Sequence, residues 1–324
     1  MPVRSPARSP PKLAQGEEHV HIPSPHDGLS LFLRYLPARE RASAQGRVVL
    51  YIHGATFPSG LSIAHRFDGR SWRDELVAAG FHVGALDFLG FGFSDRFREM
   101  NASASEHPPL GRAEDASWQI EQAVRFIRTR HGDVRVSLIA HSWGGIAAGC
   151  FAGRRPELVD RLVLFGPIVR RAGAAPPAPL PAWRLVTLEE QWRRFIADVP
   201  LREAPVLLAR HFQPWGEAWL DSDPATRDRA PAAVKIPNGP AADISEAWNG
   251  RLAFDPGLIR APTAIIRGEW DSLCTDADVA WLRAALTASP ERRDVKIRRA
   301  THLMHLEENR HALHRETQAF LRGG

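Results

Sequence analysis

The hexapeptide 140–145, AHSWGG, constrains the fold most, because it places a serine where a mostly apolar β-run gives way to a small-residue helix. A strand that turns sharply into a helix strains the turn residue, and large side chains two positions away would collide with the turn. Ala140 and Gly144 occupy those positions, so the stretch matches the G-x-S-x-G pattern of a nucleophile elbow with alanine for the first glycine. This turn would lift the Ser142 hydroxyl above the C-terminal edge of a sheet and leave the Trp143 N–H free to face an oxyanion.

The composition favours a cytoplasmic protein that acts on a small molecule. The chain has 324 residues, which suit one elaborated α/β domain as well as two domains, and a formal net charge of +5. Its basic residues are scattered among acids and form no dense face of the kind that binds nucleic acid. No run approaches the roughly 18 apolar residues that cross a bilayer. The two cysteines, Cys150 and Cys274, lack C-x-x-C spacing, so we expect neither a metal site nor a disulfide framework.

Short apolar runs alternate with helix-like stretches, which predicts an α/β fold with a mostly parallel, doubly wound sheet. The run RVVLYIH at 47–53 is nearly continuous in apolar residues and is therefore expected at the centre of the sheet. The predicted strands lie at 19–23, 31–36, 47–53, 81–88, 136–140, 161–165, 262–268 and 294–299. The predicted helices lie at 70–79, 113–130, 276–286 and 303–321, with a further helix after the serine turn.

The alternation of strands and helices breaks after Pro167 and resumes at Pro262. An Ala/Pro linker at 172–181 opens this interruption, which shows helical patterns but no convincing strand. We therefore divide the chain into a disordered lead-in (1–16), a first core part (17–168), a helical cap (169–255) and a second core part (256–324). Half of the ten tryptophans fall in the cap, where they either anchor its helices or line an apolar pocket. They are Trp183, Trp192, Trp215, Trp219 and Trp248.

A serine hydroxyl needs a base within hydrogen-bond reach and a carboxylate to orient that base. Asp271 follows the strand at 262–268 and His302 follows the last predicted strand, so both would meet Ser142 at the same sheet edge. Glu269 and Asp276 compete with Asp271, although Asp276 also suits the cap of the next helix. His305 competes with His302 for the role of base.

Two further motifs complete a resemblance to the α/β-hydrolase fold. His53-Gly54-Ala55-Thr56 resembles the HG oxyanion loop of that family, and the stretch 87–94, DFLGFGFS, resembles its D-x-x-G-x-G-x-S loop. The chain resembles an esterase- or lipase-like member with a helical cap over nearly its whole length, the lead-in excepted. The resemblance implies a triad of Ser142, Asp271 and His302. It also implies an oxyanion hole formed by the backbone N–H groups of Ala55 and Trp143.

The resemblance implies the activity of a serine hydrolase that cleaves an ester, thioester or lactone of a small, apolar molecule. This chemistry requires no cofactor and no metal. Ser142 disfavours the epoxide hydrolases and dehalogenases of the fold, which use an aspartate nucleophile. His53 would order the oxyanion loop, while His141 would point into the fold or flank the pocket. The candidate pocket residues are His53, Thr56, Phe57, His141, Trp183, Trp192, Trp215 and His305.

Two alternatives stay open at this point. The Ser-Trp-Gly sequence resembles proline iminopeptidases, but the loop at 53–56 lacks their H-G-G-P-G sequence. An aminopeptidase would need carboxylates for a free amine, and Glu189, Glu190 or Glu217 could supply them. The second alternative is a member of the fold retained for ligand binding or for non-hydrolytic chemistry.

Overall fold

The computed structural model describes residues 11–38, 47–173, 179–207 and 209–323. Its centre is an eight-stranded sheet in the order β1-β2-β4-β3-β5-β6-β9-β10. The strands of this sheet are β1 (Glu18–Pro23), β2 (Ser30–Leu36), β3 (Val48–Ile52), β4 (His82–Asp87), β5 (Val136–His141), β6 (Val159–Phe165), β9 (Thr263–Gly268) and β10 (Arg292–Ile297). Strands β1 and β2 pair antiparallel, as do β2 and β4, and all other neighbours are parallel. The predicted mostly parallel sheet is confirmed.

Helices flank the sheet and also occur in the segment between β6 and β9. They are α1 (Trp72–Ala78), α2 (Ala113–His131), α3 (Gly144–Arg154), α4 (Leu188–Ile196), α5 (Ala209–Leu220), α6 (Gly239–Trp248), α7 (Asp276–Ala285) and α8 (Arg310–Arg322). Strand β3 is buried along its whole length and pairs with β4 on one side and β5 on the other. Leu50 and Ile52 pack into one hydrophobic cluster, whereas Val49 and Tyr51 pack into the other. This alternation places a separate core on each face of a doubly wound sheet.

The segment between β6 and β9 departs from the prediction, because it contains two strands. Strands β7 (Trp183–Thr187) and β8 (Ala233–Pro237) pair antiparallel as a separate two-stranded sheet. Helices α4 and α5 lie between them in the chain, so no local turn motif marks the pair in the sequence. We call residues 169–255 the inserted segment.

The last helix also begins later than predicted. Residues 301–309 form a run of turns that includes His302, and α8 begins only at Arg310. The Glu307 carboxylate accepts a hydrogen bond from the Thr301 backbone N–H at 3.0 Å and another from the Thr301 hydroxyl. These bonds close the turn and hold its backbone outside the helical conformation that the sequence pattern suggested.

Residues 11–16, predicted as part of the lead-in, contact the body of the protein. The backbone N–H groups of Leu13 and Ala14 donate to the Glu17 carboxylate, which also forms ion pairs with Arg34 and Arg73. Residues 1–10 lie outside the described part of the chain, as do residues 174–178 of the predicted Ala/Pro linker. Across the described ranges, no helix has both the length and the apolar character needed to span a membrane.

Candidate active site

Ser142 occupies a strained turn between β5 and α3. Its φ of 54° lies in the left-handed region, which non-glycine residues rarely adopt. The Ser142 N–H donates a hydrogen bond to the Phe165 carbonyl at 3.1 Å. The Ser142 carbonyl accepts a hydrogen bond from the Gly145 N–H at 2.9 Å. A Cβ at Gly144 would collide with the His53 carbonyl oxygen, so this position requires glycine. The small residues on both sides of the serine thus allow the turn, and the methyl group of Ala140 is fully buried beneath it.

The structure brings Ser142, His302 and Asp271 together at the C-terminal edge of the parallel strands. His302 Nε2 lies 2.8 Å from Ser142 Oγ, and His302 Nδ1 lies 3.0 Å from both carboxylate oxygens of Asp271. Asp271 Oδ1 also accepts hydrogen bonds from the backbone N–H groups of Leu273 and Cys274. All three functional side chains are at most 5% exposed. This arrangement lets Nδ1 donate to the carboxylate while Nε2 accepts the serine proton.

The competing residues are engaged elsewhere. Glu269 accepts a hydrogen bond from the Arg299 backbone, and exposed Asp276 pairs with Arg267 and Lys296. Asp276 is not the cap of α7 that we predicted. Thr275 occupies that position, and its hydroxyl accepts a hydrogen bond from the backbone N–H of Asp278.

His305 is buried against Phe57, with ring centroids 5.9 Å apart. Within the described part of the chain, neither of its ring nitrogens has a hydrogen-bond partner. Burial holds its pKa well below the usual value, as it does for His141, whose Nε2 donates to the His302 carbonyl. Both rings are therefore neutral near pH 7, and neither contacts the Ser142 hydroxyl.

The loop 53–56 lies against the serine turn. A Cβ placed on Gly54 would lie 3.4 Å from the Ser142 Cβ. His53 Nδ1 donates to the Gly54 carbonyl, and its Nε2 accepts the Phe88 backbone N–H at 3.1 Å, so the ring orders this loop. Among the residues that the structure describes, the backbone N–H groups of Ala55 and Trp143 donate no hydrogen bond. Both amides are thus available to an oxyanion.

The Trp143 side chain points into the core. Its ring packs on Phe88 and its Nε1 donates to Asp243 Oδ2 at 2.8 Å. Asp243, on α6 of the inserted segment, also accepts hydrogen bonds from the Arg112 side chain and the Ala113 backbone N–H. Asp243 could not be identified from the sequence, because nothing in the local pattern around α6 relates it to a residue one hundred positions earlier.

Gly166 is a second residue that sequence analysis missed. Its φ is 54°, and a Cβ at this position would lie 3.0 Å from His302 Nδ1 and 3.2 Å from Asp271 Oδ2. Glycine therefore lets β6 end directly beside the hydrogen bond between base and acid. Its place immediately after a predicted parallel strand is a signal that could have identified it.

The inserted segment is fastened to the oxyanion loop. Trp219 Nε1 donates to the Thr56 carbonyl at 3.2 Å, and Gln191 Nε2 donates to Thr56 Oγ1 at 3.3 Å. Trp215 Nε1 donates to the Leu61 carbonyl at 2.8 Å. Trp215 and Trp219 are nearly fully buried, so these two tryptophans anchor the segment.

The other candidate pocket residues contact different parts of the protein. Phe57 packs edge-to-face on Trp215 and also contacts Phe195, which makes an aromatic cluster beside the oxyanion loop. Trp183 donates instead to the Ala102 carbonyl and lies under the Lys235 ammonium. Trp192 packs on Phe212, within the inserted segment.

Glu307, which closes the turn next to His302, is a buried acid with an unusual proton affinity. Burial raises the pKa of Glu307 from 4.5 to about 7, although its hydrogen bonds from Thr301 oppose this effect. Near pH 6 the side chain is therefore protonated in the folded protein but ionised in the unfolded chain. The contribution of Glu307 to the free energy of unfolding should therefore fall as the pH rises from about 4.5 to about 7.

Replacing Glu307 by glutamine should remove this pH dependence. The wild type is expected to lose about 3 kcal/mol more of its free energy of unfolding than Glu307→Gln between pH 4.5 and pH 7.5, because only the acid titrates. Urea unfolding of both proteins at several pH values measures the difference. The exposed neighbour Glu308 supplies the control Glu308→Gln, which should follow the wild type. Parallel profiles for the wild type and Glu307→Gln would contradict this account.

Comparison with known proteins relates this geometry to one family. A model of the α/β hydrolase fold family matches residues 47–309. A serine hydrolase-like protein from Homo sapiens is 30% identical over 131 residues, which are 40% of this chain and 55% of that protein. The chain thus spans about half the length of this curated relative.

Solved structures share the fold at low sequence identity. An esterase from Thermogutta terrifontis is similar with a TM-score of 0.59 and 20% identity, covering 94% of this chain and 98% of that one. An epoxide hydrolase from Vigna radiata has a TM-score of 0.62 and 15% identity, covering 97% and 100%. At these identities the likeness concerns the fold alone. The family match spans most of the sequence and includes β3, the serine turn and the turn that holds His302, so the chain belongs to the α/β hydrolase family.

Proposed function

We propose that the protein is a serine hydrolase that cleaves an ester, thioester or lactone of a small, apolar molecule through an acyl-enzyme on Ser142. The observation that carries the proposal is the contact of 2.8 Å between Ser142 Oγ and His302 Nε2, with Asp271 on the opposite nitrogen of the ring. A base in this position is what makes a serine hydroxyl nucleophilic in a catalytic triad.

In the first half of the reaction, Ser142 Oγ attacks the substrate carbonyl while His302 Nε2 accepts its proton. Asp271 stabilises the imidazolium and keeps Nδ1 protonated. The carbonyl oxygen becomes an oxyanion that accepts hydrogen bonds from the backbone N–H groups of Ala55 and Trp143. The tetrahedral intermediate collapses when its bond to the leaving oxygen or sulfur breaks. His302 gives its proton to the leaving group, and the acyl group remains on Ser142.

In the second half, a water molecule replaces the leaving group. His302 Nε2 accepts a proton from this water as its oxygen attacks the acyl carbon. The same two N–H groups hold the second oxyanion. Cleavage of the bond between the acyl carbon and Ser142 Oγ releases a carboxylic acid, and the proton on His302 returns to the serine.

The surroundings of the site support an apolar ester over a peptide with a free amine. Phe57, Phe195 and Trp215 form an aromatic cluster next to the oxyanion loop. The carboxylates that an aminopeptidase could have used are already engaged. Glu189 pairs with Arg193, Glu217 pairs with Arg227, and Glu190 caps α4 through Thr187.

Labelling with a fluorophosphonate probe tests whether Ser142 is an activated nucleophile. We expect covalent labelling of the wild type and none of Ser142→Ala or His302→Ala, because the reaction needs both the oxygen and the base. His26→Ala is the matched control, since His26 lies next to a carboxylate, Asp115, at an exposed position. Equal labelling of Ser142→Ala and the wild type would contradict the proposal. A wild type that remains unlabelled would favour a ligand-binding member of the fold.

Parallel kinetics with short p-nitrophenyl esters and aminoacyl-naphthylamides separate the two hydrolase classes. We expect turnover of the esters and a kcat/KM for the amides lower by at least about 100-fold, since the three candidate carboxylates are already engaged with other groups. A preference for substrates with a free N-terminus would overturn the ester assignment while leaving Ser142 as the nucleophile.

A further inference from the structure

A cluster of two histidines and one glutamate connects α1 to α8, apart from the residues of the proposed active site. His311 and His314 are three residues apart on α8 and therefore share one face of that helix. Both turn Nδ1 toward Glu75 on α1. His314 Nδ1 lies 2.9 Å from Glu75 Oε2, and His311 Nδ1 lies 3.4 Å from Glu75 Oε1. One ligand atom from each of the three residues falls within 4.8 Å of the other two.

From this geometry we infer that Glu75, His311 and His314 form a binding site for a divalent transition-metal ion, with zinc as the natural fit. Two imidazoles and one carboxylate are a common ligand set for zinc. Tetrahedral coordination with bonds of about 2.0 to 2.1 Å places ligand atoms about 3.3 Å apart, close to the two separations of nitrogen and oxygen seen here. A water molecule would complete the coordination. This inference does not depend on the proposed hydrolase activity.

The environment prepares two of the three ligands. The His314 side chain is 4% exposed, and its ring stacks on Trp72 with the centroids 4.8 Å apart and the planes 9° apart. This packing fixes its Nδ1 toward Glu75. His314 Nδ1 forms a hydrogen bond of 2.9 Å with the Glu75 carboxylate. To coordinate a metal through Nδ1, the neutral ring must carry its proton on Nε2 instead.

The third ligand is free to adjust. The His311 side chain is 55% exposed, so its ring can turn by the small amount that coordination needs. Two positively charged side chains oppose metal binding by electrostatic repulsion. Arg70 interacts electrostatically with Glu75, and Arg310 does so with His314. Arg310 is partly compensated by Asp68, 3.7 Å away. With three protein ligands and this repulsion, we expect weaker zinc binding than at a structural site with four protein ligands.

Equilibrium dialysis of the untagged, chelator-treated full chain against Zn²⁺ tests the site. We expect one tightly held zinc per chain, with affinity at least tenfold weaker in His311→Ala and in Glu75→Gln. His311 is exposed, so its variant should keep the fold, and far-UV circular dichroism checks this. His26→Ala is the control, because His26 and Asp115 form an exposed pair of histidine and carboxylate without a second histidine ligand. This variant should bind zinc like the wild type.

Cobalt substitution gives a readout that is independent of activity and stability. Co²⁺ in a tetrahedral site with nitrogen and oxygen ligands should produce visible d–d absorption in the wild type and in His26→Ala, but not in His311→Ala. Unchanged zinc affinity in His311→Ala would place the metal elsewhere, for example on His302 and Asp271, and would overturn the inference. The absence of zinc binding by the wild type at about 100 µM Zn²⁺ would overturn it as well.

Discussion

Replacing Ser142 by alanine is expected to lower kcat for p-nitrophenyl esters by roughly 10⁵- to 10⁶-fold. The methyl group cannot attack the carbonyl, and His302 loses the oxygen that lies 2.8 Å from its Nε2. The backbone N–H groups of Ala55 and Trp143 and the aromatic cluster remain in the variant. A small residual rate, still above that of uncatalysed hydrolysis in water, should therefore persist. Steady-state kinetics of the purified variant, with the wild type assayed beside it, measure the loss.

The loss of activity must be distinguished from a loss of folding. The hydroxyl of Ser142 forms a hydrogen bond with His302, and its loss leaves a methyl group of nearly the same size, so the thermal unfolding midpoint of Ser142→Ala should stay within a few degrees of that of the wild type. Ser137→Ala is a matched control in β5, the strand that precedes the serine turn, because Ser137 donates a hydrogen bond to Asp160, away from the proposed triad. This control should retain full turnover. Near-wild-type hydrolysis by Ser142→Ala would exclude Ser142 as the nucleophile.

The central sheet could be predicted because each of its strands carries its own local signal. The continuous apolar run that became β3 indicates burial on both faces, and the structure places it between β4 and β5. The turn at Ser142 was likewise predictable, since steric exclusion leaves small residues at fixed positions around a serine. Signals of this kind depend on neighbours in the sequence and need no knowledge of tertiary contacts.

The features that sequence analysis missed depend on contacts between distant segments. Strand β7 pairs with β8 across two intervening helices, so neither strand has a partner near it in the sequence. The run of turns at 301–309 contains no glycine or proline, and its sequence pattern is compatible with a helix. The buried Glu307 carboxylate accepts hydrogen bonds from Thr301, and these bonds hold the segment in turns instead of a helix. Asp243 reaches Trp143 only because the inserted segment folds back over α2 and the serine turn.

These distant contacts link the inserted segment to both proposed oxyanion donors. Asp243 holds the side chain of Trp143, while Trp219 and Gln191 hold Thr56, the residue after Ala55. The segment therefore lies in contact with the two loops whose backbone N–H groups would stabilise the oxyanion. A change in the segment can alter catalysis through these contacts as well as through substrate fit.

Replacing Asp271 by asparagine should lower kcat by roughly 10³- to 10⁴-fold while leaving the fold intact. The Oδ1 atom of Asp271 accepts the backbone N–H groups of Leu273 and Cys274, so the amide oxygen of asparagine should keep that place. The amide NH₂ then replaces Oδ2, one of the two oxygens that lie 3.0 Å from His302 Nδ1. This NH₂ faces the Nδ1–H as a second donor, and Oδ1 already accepts two backbone N–H groups, so we expect the imidazole to move its proton to Nε2. In that tautomer the ring can no longer accept the proton of Ser142.

The neighbouring acids provide matched controls for this substitution. Asp276→Asn and Glu269→Gln change an acid within five residues of Asp271, but the Asp276 side chain pairs with Arg267 and Lys296, and the Glu269 side chain accepts the Arg299 backbone N–H. Both controls should retain kcat within about threefold of the wild type, because they do not touch His302. If Asp276→Asn lost as much activity as Asp271→Asn, the orienting acid would be misassigned. Equal activity of Asp271→Asn and the wild type would mean that the hydrogen bond to Nδ1 does not set the tautomer on which the proposed mechanism depends.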